Sequence, residues 1–125
     1  MFHVVLVHPD IPPNTGNIIR LCANTGCTLH LIKPLGFPLD SARMRRAGLD
    51  YHEFANLNVH ESWADFMETI KPSPHQLHAL TTKSNQTIAN AKFVKGDFLI
   101  FGSETKGLPD LVRQSIPKEN HWRLP

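Results

Sequence analysis

Uninterrupted runs of apolar residues constrain the fold of this chain more than any other feature of its sequence. The first run, residues 2–7, has β-branched and other apolar side chains with almost no polar alternation, and prolines follow it. Such a run is typical of a central strand that is buried on both faces of a sheet. Similar short runs predict five further strands, over residues 28–32, 53–57, 77–81, 97–101 and 121–124.

Helical patterns separate these strands. The sequence predicts helices over residues 15–25, 40–47, 62–70 and 109–115. In the first helix, Asn14 or Thr15 can cap the first turn and Gly26 suits the carboxyl end. The apolar positions of this helix are Ile18, Leu21, Cys22 and Thr25.

The third predicted helix has the clearest amphipathic pattern. Ser62 can cap it, and a stripe of large apolar residues follows one side of the helix. The stripe consists of Trp63, Phe66, Met67 and Ile70. Because strands and helices alternate along the chain, we expect an α/β fold with a mainly parallel sheet flanked by helices.

Length and composition exclude several classes of protein. The 125 residues fit a single domain over residues 1–125, and a hydrophobic content of 41 % supports a packed core. No apolar run approaches the roughly 20 residues that a membrane span needs, and the start lacks signal-peptide features, so we expect a cytoplasmic protein. The two cysteines give no disulfide framework, and the histidines show no metal-site spacing, so we expect no metal. A net charge of +2 does not by itself indicate nucleic acid.

Ligands of parallel sheets bind beyond the carboxyl ends of the strands, so the loops there are the candidate sites. The loop after the first strand leads into a helix that begins with Asn14, Thr15 and Asn17 and carries Arg20 one turn further in. Backbone N–H groups at a helix start favour anions such as phosphate. An ordinary capped helix with Arg20 in solvent explains the same pattern.

Two later loops are candidates as well. After the fifth predicted strand, Gly102 and Gly107 enclose Glu104, so the backbone can pass close to a ligand, and Glu104 can orient the ligand or the helix. After the fourth strand, backbone groups and the Thr81 hydroxyl can bind an adenine or a ribose. A tight strand-to-helix connection and a polar loop are the respective alternatives.

A basic cluster falls in the second predicted helix. It consists of Arg43, Arg45 and Arg46. Since arginine pairs well with phosphate oxygens, three arginines within four residues indicate contact with nucleic acid. A solvated helix face is the alternative.

Four segments, taken together, resemble one known family. Residues 10–26 read DIPPNTGNIIRLCANTG, and residues 45–54 read RRAGLDYHEF. Residues 80–83 read LTTK, and residues 102–109 read GSETKGLP. In order and spacing these segments resemble the TrmL-type tRNA 2′-O-methyltransferases of the SPOUT superfamily, and the resemblance covers essentially the whole chain.

The resemblance implies a SPOUT-like α/β-knot core, S-adenosylmethionine as the cofactor, and no metal. It implies methyl transfer to the ribose 2′-oxygen of the wobble pyrimidine in tRNA anticodons, carried out by a homodimer. Arg20 matches the family's catalytic arginine. The residues that match the cofactor site are Leu80, Thr81, Gly102, Glu104, Gly107 and Leu124. The residues expected to contact the anticodon arm are Asn14, Asn24, Arg43, Arg45 and Arg46.

The implied chemistry suits an arginine. A ribose hydroxyl is a poor nucleophile, so its proton must leave while the methyl–oxygen bond forms. The enzyme therefore has to align the oxygen with the methyl carbon and stabilise a developing alkoxide. Arg20 can do the second electrostatically, whereas a guanidinium that is always protonated does not suit a general base.

The chain also departs from the family pattern. Relatives continue beyond the segment equivalent to residues 121–125 with a Ser/Asn-rich loop and a long helix, which form the knot, complete the cofactor pocket and contribute to the dimer. The 125 residues do not include this segment. We therefore expect a truncated domain without the knot, with weak cofactor binding and an incomplete dimer interface. A catalytically inactive RNA-binding fragment of this family is the alternative to the enzyme.

Overall fold

The structure, a computed structural model, describes residues 1–38 and 57–124. These residues form the strands β1 (His3–Val7), β2 (Thr28–Ile32), β3 (Asn58–His60), β4 (Leu77–Leu80), β5 (Phe98–Phe101) and β6 (His121–Trp122). They form the helices α1 (Pro12–Thr25), α2 (Trp63–Ile70) and α3 (Asp110–Gln114). Single 3₁₀ turns lie at Pro74–Gln76, Ile88–Asn90 and Lys118–Asn120.

The six strands form one sheet in the order β3-β2-β1-β5-β4-β6, and each neighbouring pair is parallel. The predicted α/β class with a parallel sheet is therefore confirmed. From β1 the chain adds β2 and then β3 on one side of the sheet. On the other side of β1, β4 forms first, β5 is inserted between β1 and β4, and β6 is added outside β4. In sheets of this kind the carboxyl ends of the strands form the ligand-binding edge, which directs attention to the loops after β1, β4 and β5.

Two apolar layers cover the sheet, one on each face. Val5 and Val7 point into a cluster that α2 and α3 cover, and Leu6 points into a second cluster beneath α1. All three side chains are 97 % or more buried. The absence of polar alternation in residues 2–7 follows from this burial on both faces, as the sequence predicted.

Helix α1 differs from its sequence prediction in its start and in its buried face. It begins at Pro12, because two prolines fit the first turn of a helix, where their missing N–H groups cost nothing. Neither Asn14 nor Thr15 caps the helix, so that prediction was wrong. Gly26 ends it in the left-handed conformation, as predicted.

The predicted apolar stripe of α1 was correct for Ile18 and Cys22, which pack on the sheet, and wrong for Leu21 and Thr25. The helix buries Thr15, Ile19 and Cys22 against the sheet, while Leu21 is 60 % exposed. Thr25 is exposed, and its hydroxyl donates to the Leu21 carbonyl within the helix.

Helix α2 matches its prediction closely. The Ser62 hydroxyl accepts a hydrogen bond from the Asp65 N–H at 3.0 Å, and Phe66 is fully buried. The other three residues of the stripe pack around the same cluster. The predicted helix over residues 40–47 and most of the predicted strand over residues 53–57 lie outside the described residues; β3 follows at Asn58.

A buried polar chain joins β4, β5 and β6. The Trp122 indole N–H donates to His78 Nδ1 at 3.0 Å, so His78 carries its proton on Nε2. That nitrogen lies 3.0 Å from Asp97 Oδ2, which also accepts the Val94 N–H. This chain fixes the short strand β6 against the sheet.

Three histidines form a row across β1, β2 and β3. His3 Nδ1 lies 3.0 Å from His30 Nε2, and His30 Nδ1 lies 3.0 Å from His60 Nε2. Burial, followed by the charges that its two neighbours would carry, lowers the pKa of His30 to about 4. Burial also lowers the pKa of His3 and of His60. The row is therefore neutral at neutral pH, with His30 donating to one neighbour and accepting from the other.

Acidification is expected to destabilise the fold through this row. His30 binds a proton near pH 6.5 in the unfolded chain but only near pH 4 in the fold. The stability that neutral His30 gives the fold, relative to protonated His30, is therefore fully present above about pH 6.5. It is lost as the pH falls toward about 4. Allowing for solvent screening, the free energy of unfolding should fall by about 2 kcal/mol, measured by urea unfolding across this range.

His30→Phe should flatten this pH dependence, because it removes the titrating group. His75→Gln, at an exposed histidine, should leave the dependence as in the parent chain. An identical pH dependence in the His30→Phe chain would show that the row does not control acid stability.

Candidate functional site

A cavity of about 450 Å³ lies at the carboxyl ends of β4 and β5. Its wall consists of residues 80–83, from the loop after β4, and residues 101–108, from the loop after β5. The structure therefore brings five of the residues predicted for the cofactor site into one cavity. These are Leu80, Thr81, Gly102, Glu104 and Gly107.

Glycine allows the loop after β5 to fold back on itself. A Cβ on Gly102 would lie 2.0 Å from the carbonyl carbon of Gly107 and 2.1 Å from the nitrogen of Leu108. Gly107 has a φ of +72°, and its N–H donates to the Ser103 carbonyl at 2.9 Å. The Ser103 hydroxyl accepts the Lys106 N–H at 2.9 Å, which completes the turn. The two glycines of the sequence pattern thus form a tight turn beside the cavity.

Glu104 ties this turn to the start of α1. Its carboxylate accepts the N–H groups of Asp10 at 3.0 Å and of Ile11 at 3.1 Å. The Thr105 hydroxyl donates to the Asp10 carboxylate. Hydrogen bonding with Glu104 and then with Thr105 lowers the pKa of Asp10. Of the two roles that the sequence allowed for Glu104, the structure supports orientation of the helix.

The same contacts correct the prediction of an anion site at the start of α1. The first two helical residues are prolines and have no N–H, and the N–H groups of Asn14 and Thr15 donate to the Ile11 carbonyl. Glu104 occupies the preceding two N–H groups. The backbone at this helix start therefore has its own carboxylate in place of an external phosphate.

Glu104→Gln is expected to loosen the start of α1. The amide oxygen can accept only with a weaker, uncharged bond, so the free energy of unfolding should fall by about 1 kcal/mol. Hydrogen exchange at the amides of residues 10 and 11 should accelerate severalfold, because these two groups lose their charged acceptor. Glu68→Gln, on the exposed side of α2, should change neither quantity. Unchanged exchange would argue against the tie.

Strand β6 is held on both of its edges near the cavity. On one edge it pairs with β4, and the Thr81 N–H donates to the Trp122 carbonyl at 2.9 Å. On the other edge lies a segment that we call the strap, residues 84–88. The Arg123 N–H donates to the Gln86 carbonyl at 2.7 Å, and the Ile88 N–H donates to the Arg123 carbonyl at 2.9 Å.

The other predicted residues that the structure describes lie outside the lining of this cavity. Leu124 follows β6 and is 51 % exposed. On α1, Asn14 and Asn24 are exposed and Arg20 is half-buried. Arg43, Arg45 and Arg46 lie outside the described residues.

Sequence reasoning did not assign roles to three polar residues of the wall, Lys83, Ser103 and Lys106. Their position inside the two loop motifs was the available signal. Within residues 1–38 and 57–124, no group of three or more potential ligands could hold a metal ion. The helices found in that same part of the chain are too short or too polar to cross a membrane.

Comparison with known proteins gives consistent results. Residues 1–121 match the SpoU rRNA Methylase family. The tRNA (cytidine(34)-2′-O)-methyltransferase of Burkholderia ambifaria is 57 % identical over all 125 residues, which span 80 % of its length. A structure solved to explain 2-OH methylation of C/U34 on tRNA has a TM-score of 0.83 and 40 % identity, covering all of this chain and 80 % of that one.

A more distant structure extends the likeness of the fold. The AdoMet-bound rRNA methyltransferase of Sinorhizobium meliloti has a TM-score of 0.81 at 21 % identity, and it covers 99 % of this chain and 47 % of that one. At this level of identity the similarity concerns the fold alone, and it agrees with the α/β fold and the parallel sheet described above.

Proposed function

The chain belongs to the SpoU rRNA Methylase family, and on that premise we propose that it methylates the ribose 2′-oxygen of nucleotide 34, the wobble position, in tRNA. The observation that carries the proposal is 57 % identity, over the whole chain, to a tRNA (cytidine(34)-2′-O)-methyltransferase. The substrate is then the anticodon arm of a tRNA with a pyrimidine at position 34. The compartment is the cytoplasm, and the active form is a homodimer, as the resemblance implies.

The cavity fits S-adenosylmethionine as the methyl donor. Its volume of about 450 Å³ lies in the range of small-molecule sites, and it lies at the ligand-binding edge of a parallel sheet. The missing side chain at Gly102 lets the loop after β5 fold back on itself in the wall of this cavity. Leu80, Thr81, Gly102 and Gly107 would hold the cofactor, and Leu124, which follows β6 outside the lining of the cavity, is assigned to the same site by the family resemblance alone. When bound, the cofactor supplies an electrophilic methyl group.

Glu104 has a different role in this proposal. Its carboxylate already accepts two N–H groups at the start of α1, so it shapes the site by joining the cofactor loop to the helix that carries Arg20. A shift of the turn would therefore move α1 as well. Such coupling suits an enzyme that must align two reactants closely.

Arg20 supplies the charge that the reaction needs. As the methyl–oxygen bond forms and the methyl–sulfur bond of the donor breaks, the hydroxyl would pass its proton to solvent water, so negative charge develops on the ribose oxygen. A guanidinium stabilises that charge while remaining protonated itself. Asn14 and Asn24, on the same helix, are available to the RNA as hydrogen-bonding groups, and the arginines at positions 43, 45 and 46 would bind phosphates.

Methyl transfer from labelled S-adenosylmethionine to bulk tRNA tests the proposal. The expected product is tRNA with one 2′-O-methyl group at position 34, located by nuclease digestion and mass spectrometry. The oligomeric state is measured on the same sample. Transfer at another position would overturn the proposal. Binding of tRNA without any transfer would favour the alternative, an inactive RNA-binding member of the family.

A further inference from the structure

A second cleft, of about 760 Å³, lies beside β6 and is separate in its lining from the cavity except at one residue. The strap, α3 and the turn Lys118–Asn120 enclose it. Its lining includes four basic side chains, Lys83, Arg113, Lys118 and His121. It also includes one acidic side chain, Glu119. Apart from Lys83, which ends the segment of residues 80–83 and also lines the cofactor cavity, the charged residues of this cleft have no role in the proposed function.

The lining of the cleft carries more positive than negative charge. It contains two lysines and one arginine against one glutamate, although the whole chain carries a net charge of only +2. Arg113 forms an ion pair with Asp110 at 2.9 Å. Among the residues that the structure describes, no carboxylate lies within salt-bridge distance of Lys83 or Lys118, and both are exposed. Such a concentration of unneutralised ammonium groups attracts a polyanion.

Hydrogen bonds hold the wall of the cleft in place. The Gln86 side-chain amide donates to the carbonyls of Lys118 and Glu119 at 3.3 Å and of His121 at 3.0 Å. The Ser84 hydroxyl also donates to the His121 carbonyl, at 2.8 Å. The backbone that carries Lys118 is therefore fixed before any ligand arrives, which lowers the entropy that binding would cost.

The cleft adjoins the proposed cofactor cavity. Lys83 lines both of them. An RNA strand whose ribose reaches the cavity therefore has a cationic path for its neighbouring phosphates alongside β6. A small anion needs cations at one point only. A phosphodiester chain carries a charge at every nucleotide, so it can contact the cations of the cleft while a ribose lies in the cavity.

We propose that this cleft binds the phosphodiester backbone of the substrate tRNA next to the nucleotide that is methylated, an inference that rests on the proposed function. The contacts give affinity and orientation without reading the base sequence. Lys118 is the main contact to test, because it lines only the cleft, whereas Lys83 also lines the cofactor cavity.

Lys118→Ala is expected to weaken tRNA binding about fivefold at 0.1 M salt. One phosphate contact to a single strand releases about 0.7 counterion, which corresponds to about 0.7 log units between 0.1 and 1 M salt. The slope of log K against log salt concentration should become less steep by about 0.7. Filter binding of tRNA over a salt series measures both quantities. Lys118→Glu should have a larger effect in the same direction.

Lys95→Ala is the matched control. Lys95 is also exposed, but it precedes β5 and lies at the opposite edge of the sheet, where the Gly96 N–H donates to the Met1 carbonyl. This variant should bind tRNA like the parent chain, and circular dichroism should show that both variants are folded. Calorimetry should give the Lys118 variant the parent affinity for S-adenosylmethionine.

The outcomes separate the two proposals. If Lys118→Ala and Lys118→Glu retain the parent affinity and salt slope while the parent chain methylates nucleotide 34, the cleft is not an RNA contact and the proposed function stands. If the parent chain neither binds nor methylates tRNA, both proposals are overturned. A loss of affinity confined to the Lys118 variants supports the cleft as a backbone site.

Discussion

Arg20→Ala is expected to reduce methyl transfer to tRNA by about 100- to 1000-fold, the range found when a group that stabilises a developing oxyanion is removed. The substitution removes the positive charge that we assign to the ribose oxygen in the transition state. Binding of S-adenosylmethionine should change little, because Arg20 lies outside the cavity lining. Single-turnover transfer at saturating tRNA measures the chemical step separately from binding.

Two further variants make this result specific. Arg20→Lys keeps the charge but loses the planar fork of donors, so it should recover only part of the rate. Ala23→Ser changes an exposed position on the same helix and should leave transfer as in the parent chain. Transfer that survives Arg20→Ala unchanged would remove Arg20 from the proposed mechanism.

Gly102→Ala is expected to have the second-largest effect, on cofactor binding. The new Cβ would lie about 1 Å closer to the Gly107 and Leu108 backbone than real Cβ atoms approach, and backbone atoms cannot rotate away as a flexible side chain can. The turn must therefore move out of the cavity wall. We expect a loss of affinity for S-adenosylmethionine of tenfold or more, measured by calorimetry, and a fall of about 1–3 kcal/mol in the free energy of unfolding.

Gly26→Ala is the control for this prediction. Gly26 has a φ of +78°, but no atom lies within 4 Å of the position of its Cβ. Its replacement should cost about 1 kcal/mol of stability through backbone strain, without moving the cavity wall. Equal cofactor affinity in both glycine variants would contradict the steric argument.

Local pattern was enough to predict four of the strands and the amphipathic helix α2. Apolar runs without alternation gave β1, β2, β4 and β5 within one or two residues, because both faces of the sheet are covered. The cap at Ser62 and the stripe of α2 are likewise local properties of the sequence. The parallel order could be inferred from alternation of strands and helices, since parallel strands need such crossovers.

Helix α1 could not be predicted as well, because tertiary contacts decide its start and its face. In the sequence, the prolines mark the end of the first apolar run and not the start of a helix, although prolines also fit the first turn of a helix. What favours the helical use is Glu104, which lies far away in the sequence and fixes the two residues before the prolines. Likewise, only the position of α1 on the sheet decides that Ile19 is buried and Leu21 exposed.

The candidate site was predictable where its residues follow strands and less so elsewhere. Gly102 and Leu80 end neighbouring strands, so a parallel sheet places them side by side. The basic cleft, in contrast, combines Lys83, Arg113 and Lys118, which share no motif or spacing. Only the strap and the turn before β6 bring these cations together.

The position of β6 between β4 and the strap has a consequence for how the molecule assembles. Both neighbours precede β6 in the chain, and the contact from Ser84 to His121 spans 37 residues. Contacts of such sequence separation form slowly, because loop-closure entropy must be overcome before they stabilise anything. The strap cannot complete its hydrogen bonds until β6 has arrived, so the basic cleft becomes complete in the same folding step that adds β6 to the sheet.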